Sequence, residues 1–320
     1  MQASIRFARI LAAALAFVLA LAPAGAQKRI ALTFDDTPRH AGGFMPADTR
    51  AKRLVAALRK AGVEQAAFFV TVGNLGKPEG GDGEANIARY VRAGHVIANH
   101  SFAHQHLSKS TAEAYLADID RAQAWLKQRP GYRPWFRFPF LDEGGRDKAK
   151  RDAVRMGLKA RGLQNGYVTA ESSDWHIEAL AAAAKRDAKR VDMRALRDLY
   201  VESHVEAAEF YDALARKTLG RSPAHVILLH ETDIAALFIG DLVKALRAKG
   251  WAIVTADAAF ADPLRDAMPD TPYAQGTLIE ALAWQKGLPA PRWYARNDLE
   301  IATPLFRQRV LGETMDDRKE

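Results

Sequence analysis

The 320-residue sequence contains no cysteine. This absence excludes disulfide scaffolds, thiolate-bound zinc and thiol nucleophiles, so any metal ion must be bound by His, Asp or Glu. A strong excess of one charge is also missing, since 46 Lys and Arg face 38 Asp and Glu. With 48% hydrophobic residues, this balance excludes a chain that is disordered throughout. The nine histidines are therefore the first candidates for metal binding.

The sequence has no apolar run long enough to span a bilayer. Residues 10–21 form a run of 12 apolar residues, whereas about 20 are needed. Arg6 and Arg9 precede this run, and Ala24-Gly25-Ala26 follows it. A basic start, a short apolar core and small residues at the end are typical of a secretory signal peptide. We predict cleavage after Ala26, an exported protein that is periplasmic or secreted, and no membrane span afterwards; a membrane anchor is the alternative interpretation.

Two further patterns argue against nucleic-acid and nucleotide partners. In residues 185–190, Asp187 interrupts the Lys and Arg residues, which is typical of a solvated helix face and indicates no nucleic-acid partner. Residues 73–83 hold five glycines but lack the order of a phosphate-binding loop, and they do not lead into a GK[ST] helix start. This segment is predicted to be a surface loop.

Beyond the signal peptide, β-rich runs alternate with stretches of helical periodicity. Such alternation predicts parallel strands joined by right-handed crossovers, hence an α/β fold, and seven strands suggest a barrel. The predicted strands are 30–34, 66–71, 95–99, 135–138, 166–170, 225–229 and 251–255, and the predicted helices are 48–61, 85–93, 111–128, 146–158 and 234–249.

Three ranges follow from this pattern. Residues 1–26 are the predicted signal peptide, and residues 27–260 are the predicted barrel domain. Within the barrel, residues 177–219 contain no Pro or Gly and predict a helical insertion beside it. Residues 261–320 contain six scattered prolines and one helical run, 277–286, which indicates a C-terminal extension that packs on the barrel.

Reactive side chains in such barrels come from the carboxyl ends of the strands. The first strand ends in Asp35-Asp36, and two adjacent carboxylates favour a nearby cation. One could bind a metal ion while the other acts as a base. The alternative is an aspartate that caps the next turn.

The third strand ends in His100 and His104, which have the four-residue spacing of paired zinc ligands if the chain begins a helical turn there. His106 nearby leaves open a merely polar surface. Two histidines and one aspartate together would make the three-ligand open site of hydrolytic zinc. Arg137 ends the fourth strand and His230 the sixth, although a surface ion pair and a simple hydrogen-bonded histidine remain alternatives for them.

Five short motifs occur in order: TFDD at 33–36, HSFAH at 100–104, RFPF at 137–140, SSDW at 172–175 and LLH at 228–230. This ordered set resembles the motifs of the polysaccharide deacetylase (NodB homology) family, also called carbohydrate esterase family four. The resemblance covers about residues 28–260 and implies a distorted (β/α)7 barrel that deacetylates glycans. One departure is that Phe140 and Leu141 stand where the family often has Tyr and Gly after the proline.

The resemblance implies a role for each motif residue. Asp35 would be the general base, and Asp36, His100 and His104 would bind a divalent metal ion, usually Zn²⁺. His230 would be the general acid. The supporting residues implied by the family are Arg137, which would orient Asp35; Asp174, which would orient His230; the backbone N–H of Phe140, which would bind the oxyanion; and Trp175 and Leu228, which would line the acetyl pocket.

The function implied is hydrolysis of N-acetyl groups, and as a second class O-acetyl groups, on an acetylated glycan of the cell wall or the extracellular space. Three alternatives stay open: a hydrolase of non-sugar C–N bonds, a catalytically silent glycan-binding protein, and an iron oxygenase that uses two His and one carboxylate.

Overall fold

The computed structural model describes residues 27–77 and 81–313, so the predicted signal peptide lies outside the described residues. The main sheet has seven parallel strands: β1 Lys28–Thr37, β2 Ala67–Val70, β3 Val96–Asn99, β4 Tyr132–Phe136, β6 Gln164–Asn165, β7 Ala224–His230 and β8 Trp251–Ile253. Their order in the sheet is β6-β4-β3-β2-β1-β7, and β8 also pairs with β1. The predicted α/β class and seven-stranded barrel are confirmed.

Strand β1 is the centre of the sheet. Along one edge it pairs with β7, from Arg29 beside Ala224 to Asp35 beside His230. Along its other edge it pairs first with β8 and then, from Thr33 onward, with β2. Its residues 30–35 are almost completely buried, as expected for a strand covered on both faces in a parallel sheet.

The barrel is distorted where the fifth predicted strand, 166–170, should lie. The strand there is Gln164–Asn165, which pairs with β4, and within the predicted range Ala170 alone pairs in strand register, with Ile227 of β7. The prediction is wrong over 166–169 because the backbone carbonyls bond to other partners. Arg137 donates to the carbonyls of Gly166 and Tyr167, and the N–H of Leu278 donates to that of Val168 at 2.8 Å.

Helices surround the sheet. Several begin at a side chain that caps the free backbone N–H groups of the first turn, including Thr111, Asp147, Asp192 and Thr232. The helices are α1 Ala47–Lys60, α2 Gly83–Arg92, α3 Ala112–Leu126, α4 Lys148–Ala160, α5 Asp174–Arg186, α6 Met193–Leu219, α7 Asp233–Ala248, α8 Ala256–Phe260, α9 Leu278–Gln285 and α10 Leu299–Phe306. None of the described helices is both long enough and apolar enough to cross a membrane.

The predicted helical insertion consists of two helices, α5 and α6, and not of one continuous stretch. Residues 187–192 separate them, and Ala188 has a left-handed φ of 53°. Helix α5 starts at Asp174, three residues before the predicted insertion, while α6 ends before Gly220, whose φ of 74° suits glycine. Helix α6 packs against α7 and α9.

The described part of the C-terminal extension contributes to the same hydrophobic core as the barrel. Leu278, Ile279, Ala283, Phe306 and Val310 are buried there. Two short strands that the sequence pattern did not predict, β5 Asp142–Gly145 and β9 Ala274–Gln275, pair antiparallel and tie the extension to the loop after β4.

Candidate active site

The end of β1 places two adjacent carboxylates in one pocket. Side chains alternate along a strand, so Asp35 and Asp36 would normally point to opposite faces. Asp36, however, has a left-handed φ of 64°, which interrupts the extended conformation of β1. As a result, Asp35 Oδ2 lies 3.7 Å and Asp36 Oδ1 lies 3.5 Å from the same nitrogen, Nε2 of His100.

The histidine pair lies on an irregular loop after β3, so the helical turn on which the spacing argument depended is absent from residues 100–106. Ser101 and His104 both have left-handed backbone angles, with φ of 67° and 53°. Two local hydrogen bonds support this loop: the His104 N–H donates to Ser101 Oγ at 2.9 Å, and the Phe102 N–H donates to Asp118 Oδ2 at 2.9 Å. The loop still turns both imidazoles toward Asp36.

Asp36, His100 and His104 form a candidate metal site. Each offers one ligand atom, and these atoms lie within 4.8 Å of one another. Nδ1 of His100 lies 2.9 Å from the carbonyl oxygen of Arg137, to which it can donate. That bond orients the ring and points Nε2 toward Asp36, as in many metal sites.

The Asp36 carboxylate itself fits a divalent cation. Nε2 of His104 lies 2.9 Å from Asp36 Oδ1, yet within the described residues no donor is aligned to make a hydrogen bond with this buried oxygen. Burial would raise the pKa of Asp36, but the imidazoles of His100 and His104 hold that pKa well below its usual range. An ionised oxygen facing two imidazole nitrogens is the donor set of hydrolytic zinc sites.

Arg137 is 1% exposed and fixes Asp35. Its Nη1 donates to Asp35 Oδ1 at 2.9 Å, its Nη2 donates to Thr33 Oγ1 at 3.2 Å, and the guanidinium stacks over the Phe69 ring at 4.0 Å. Burial lowers the pKa of this guanidinium, and Asp35 opposes that effect. Because Oδ1 is engaged, Oδ2 is the Asp35 oxygen directed toward the metal-ligand candidates.

His230 and Asp174 form a second pair across the pocket. Asp174 begins α5 after Ser173, whose φ is 50°, and its two oxygens accept from the His230 backbone N–H at 2.8 Å and from Nδ1 at 2.6 Å. Burial would lower the pKa of His230, but the Asp174 carboxylate raises it above the usual value. The imidazole therefore keeps its proton to higher pH, with Nε2 left for a substrate.

The three remaining predicted residues differ in how closely the structure brings them to this pocket. Phe140 has φ of 59°, is 47% exposed, and its ring lies 4.5 Å from that of His104. Leu228 pairs with Thr33 in the parallel register and therefore faces the barrel interior with it. Trp175 follows Asp174 and is 39% exposed, and its ring contacts His176 at 5.4 Å.

Two charged residues at the site were missed at the level of sequence. Nη1 of Arg39 lies 3.3 Å from Asp36 Oδ2, and the position of Arg39 three residues after Asp36 was a usable signal. Glu171 lies near Asp35, Asp174 and His230, whose charges act on its carboxyl. No residue pattern pointed to Glu171, because a barrel interior and the C-terminal extension together create its surroundings.

Residues 22–160 match the sequence model of the family described as Polysaccharide deacetylase. These residues belong to the polysaccharide deacetylase family. The predicted resemblance is thus confirmed for the part of the chain that holds Asp35, Asp36, His100, His104 and Arg137. The match ends before Asp174 and His230. None of the curated proteins matches the chain.

Solved structures of polysaccharide deacetylases are similar to this chain. The chitin deacetylase from Colletotrichum lindemuthianum shares 19% identity at a TM-score of 0.50, over 74% of this chain and 90% of that one. A family 4 carbohydrate esterase from Streptomyces lividans, in complex with acetate, shares 22% identity at a TM-score of 0.47, over 76% of this chain and 98% of that one. The peptidoglycan deacetylase PdaC from Bacillus subtilis shares 21% identity at a TM-score of 0.45, over 72% of this chain and 89% of that one. At 19% identity, the likeness to the chitin deacetylase concerns the fold alone.

Proposed function

We propose that this protein is an exported, metal-dependent deacetylase of a glycan. Its main substrates are N-acetyl groups, and O-acetyl groups are a second type of substrate. The observation that carries the proposal is the arrangement in one pocket of a candidate metal triad, Asp36, His100 and His104, beside a carboxylate, Asp35, and an imidazole, His230. A base and an acid next to a divalent-cation site are what hydrolysis of an amide requires.

Asp36, His100 and His104 would hold the cation, with zinc as the first candidate. When bound there, such a cation supplies Lewis-acid polarisation of the acetyl carbonyl and lowers the pKa of water. Asp35 accepts a proton from the attacking water through its free Oδ2, while Arg137 on Oδ1 keeps the carboxylate in place. The water oxygen bonds to the acetyl carbon and the negative charge moves to the carbonyl oxygen, where the N–H of Phe140 is proposed to donate.

His230 completes the reaction. As the C–N bond breaks, an amine leaves poorly unless it is protonated, and Nε2 of His230 is proposed to donate that proton. Asp174 holds the ring through Nδ1 and favours the protonated imidazole. The proposed walls around the acetyl methyl group are Leu228, which faces the barrel interior, and Trp175 at the rim.

Acetate release by residues 27–320 tests the proposal directly. Zinc-loaded protein should release acetate from at least one of peptidoglycan, chitooligosaccharides, acetylated xylan and poly-N-acetylglucosamine. Protein treated with a chelator should lose this activity and regain it with zinc. No release from any of these glycans by protein that retains one zinc ion would contradict the proposed function.

Replacing Asp174 with asparagine should move the alkaline limb of the pH profile of kcat/KM. Asp174 raises the pKa of His230, so the wild-type acid stays protonated until pH rises through that raised value. Without the negative charge the pKa of His230 falls, and activity should be lost at a pH lower by about one unit or more. The measurement is acetate release across pH 5–10.

Asp212→Asn is the matched control for this prediction. Asp212 Oδ1 lies 3.3 Å from Nε2 of His225, a buried pair at the other end of β7. Its loss should change stability while leaving the alkaline limb in place. An unchanged limb in the Asp174 variant, or an equal shift in both variants, would refute the pairing of Asp174 with the catalytic acid.

A further inference from the structure

The segment between β6 and α5 carries a carboxyl that the proposed mechanism does not use. Ala170 pairs with Ile227, and the Leu228 N–H donates to the Ala170 carbonyl at 2.9 Å. Because side chains alternate along paired strands, the residue after Ala170 stands level with Leu228 and faces the barrel interior with it. That residue is Glu171.

This placement rests on the pairing of Ala170 with Ile227, and the charges that act on Glu171 agree with it. Burial raises the pKa of its carboxyl; the charge of His230 lowers that pKa, and the charges of Asp174 and Asp35 raise it. These three residues are the proposed acid, its partner and the proposed base. The Glu171 side chain therefore lies at the wall of the catalytic pocket.

Among the described residues, no side chain or backbone group makes a hydrogen bond with the carboxylate of Glu171, unlike those of the other acidic residues of the pocket. Asp35 is bonded to Arg137, and both oxygens of Asp174 are bonded to His230. Over residues 27–77 and 81–313, the hydrogen bond that involves Glu171 uses its backbone carbonyl, to which Asn297 Nδ2 donates at 3.5 Å. The side chain is partly exposed, so its oxygens remain available to a ligand.

Asn297 of the C-terminal extension contacts the backbone of Glu171. Asn297 contacts three groups: the Glu171 carbonyl, the Ser173 hydroxyl at 3.4 Å and the Tyr211 hydroxyl at 3.3 Å. Tyr211 in turn donates to Glu280 Oε1 at 2.5 Å. The negative charge of Glu171 adds to burial in raising the pKa of Glu280. Glu280 is tied to Tyr211 and to its own helix cap, so of these two carboxyls Glu171 is the one free to turn toward the pocket.

We propose that Glu171 contacts the substrate directly, through a hydrogen bond to a free hydroxyl of the acetylated sugar unit, and that Asn297 of the C-terminal extension positions it. The inference rests on the proposed function and deepens it, since it names the side chain that would contact a hydroxyl of the sugar ring. A carboxyl suits this task because its oxygens accept strongly from sugar hydroxyls when ionised and can also donate when protonated.

The test combines variants of Glu171 with monodeoxy analogues of the acetylated sugar that the wild-type protein deacetylates. Glu171→Leu should lower kcat/KM about 10- to 100-fold on the parent sugar, the size expected for losing a hydrogen bond to a charged group. On one analogue, the one that lacks the contacted hydroxyl, the variant and the wild type should be equally slow. Glu171→Gln, which can still bond to a hydroxyl, should stay within about fivefold of wild type.

Asn297→Ala tests the positioning part with the same analogues. It should lower kcat/KM about 2- to 10-fold, the size of a neutral hydrogen bond, and the loss should disappear on the same analogue. A full effect of Glu171→Leu with no effect of Asn297→Ala would overturn the positioning role. Glu64→Gln is the control, because Glu64 is exposed just before β2, at the opposite end of the barrel.

The possible results distinguish failure of the proposed substrate contact from failure of the proposed deacetylase function. Equal loss on every analogue, or an alkaline limb shifted as in Asp174→Asn, would mean that Glu171 acts on His230 and would overturn the substrate contact. Unchanged kcat/KM in Glu171→Leu, with active wild-type protein, would also overturn it while leaving the deacetylase proposal intact. Wild-type protein that is silent on every glycan would overturn both. If the leucine variant melts below the assay temperature, Glu171→Ser removes the carboxyl without adding bulk and is held to the same criteria.

Discussion

Replacing Asp35 with asparagine is expected to lower acetate release about 100- to 10,000-fold, the range that general-base catalysis contributes. Asparagine has nearly the same shape, and its side-chain oxygen can still accept from Arg137, but its amide cannot take a proton from water. Because Asp36, His100 and His104 are the candidate ligands, the variant should retain zinc in the same stoichiometry as wild type. The measurements are initial rates on the best glycan and zinc content after dialysis.

The same substitution should also destabilise the fold. The Asp35–Arg137 pair is almost completely buried, and removing one charge leaves the guanidinium with a weaker partner. Breaking a buried ion pair costs about 3–5 kcal/mol when the remaining charge has no partner. The free energy of unfolding of the asparagine variant, measured in urea, should therefore be lower by at most that amount. Asp120→Asn, which breaks an exposed pair with Arg161, is the control and should change neither rate nor zinc content.

If folded Asp35→Asn protein retained more than a tenth of wild-type activity, the assignment of Asp35 as the general base would be contradicted. Asp36→Asn supplies the contrast. It weakens a candidate ligand, so activity and zinc content should fall together, whereas in the Asp35 variant they should separate. Two adjacent residues would then be distinguished by which measured quantity each one controls.

The core of the fold could be predicted from sequence because the responsible signals are local. Strands β1 and β7 are short apolar runs that end in polar residues, Asp35 and His230, and a parallel sheet brings such ends to one edge. The five helices predicted between the strands lie within a few residues of their observed bounds, because caps and periodicity mark those bounds. These elements hold the predicted base and acid.

The distorted side of the barrel could not be predicted, because long-range contacts determine it. Gly166 packs so closely that a Cβ there would meet the Phe69 ring at 2.6 Å, and the carbonyls of 166–168 bond to Arg137 and Leu278. A β-rich run therefore contributes one strand pairing at Ala170 in place of a full strand. The sequence pattern indicated the β-strand propensity of this run, but it did not indicate these hydrogen-bond partners.

The shape of the metal-ligand loop shows the same limit on a smaller scale. The structure brings His100 and His104 together with Asp36, although the chain does not form the helical turn on which the spacing argument depended. Left-handed angles at Ser101 and His104, supported by bonds to a hydroxyl and to Asp118, bring the rings together instead. Glu171 and Asn297 were missed altogether, because their relation depends on an extension more than 120 positions away in the chain.

Replacing His104 with alanine is expected to abolish retention of a divalent ion. With one of three ligands gone, zinc per protein after dialysis should fall from about one to near zero. A second measurement does not depend on activity. At a free zinc concentration about 100 times its Kd, a bound ion stabilises the folded protein by about 2.7 kcal/mol, so the wild-type melting temperature should rise with zinc while that of the variant stays nearly constant.

His106→Ala is the matched control for this prediction. His106 lies two residues away on the same loop and stacks on Phe140 at 3.7 Å, yet it is outside the candidate triad. Its variant should bind zinc as wild type does. Full zinc occupancy in the His104 variant, or equal loss in both variants, would contradict the assignment of the site.

His104 is a sharper target than His100 for physical reasons. His100 is buried, and its Nδ1 bonds to the Arg137 carbonyl, so its removal would also disturb the backbone of Arg137, directly after β4. The His104 side chain is 26% exposed, and its ring nitrogen Nε2 faces Asp36. Loss of the zinc-dependent rise in melting temperature, with the zinc-free melting temperature close to that of wild type, would thus report on metal binding and not on folding.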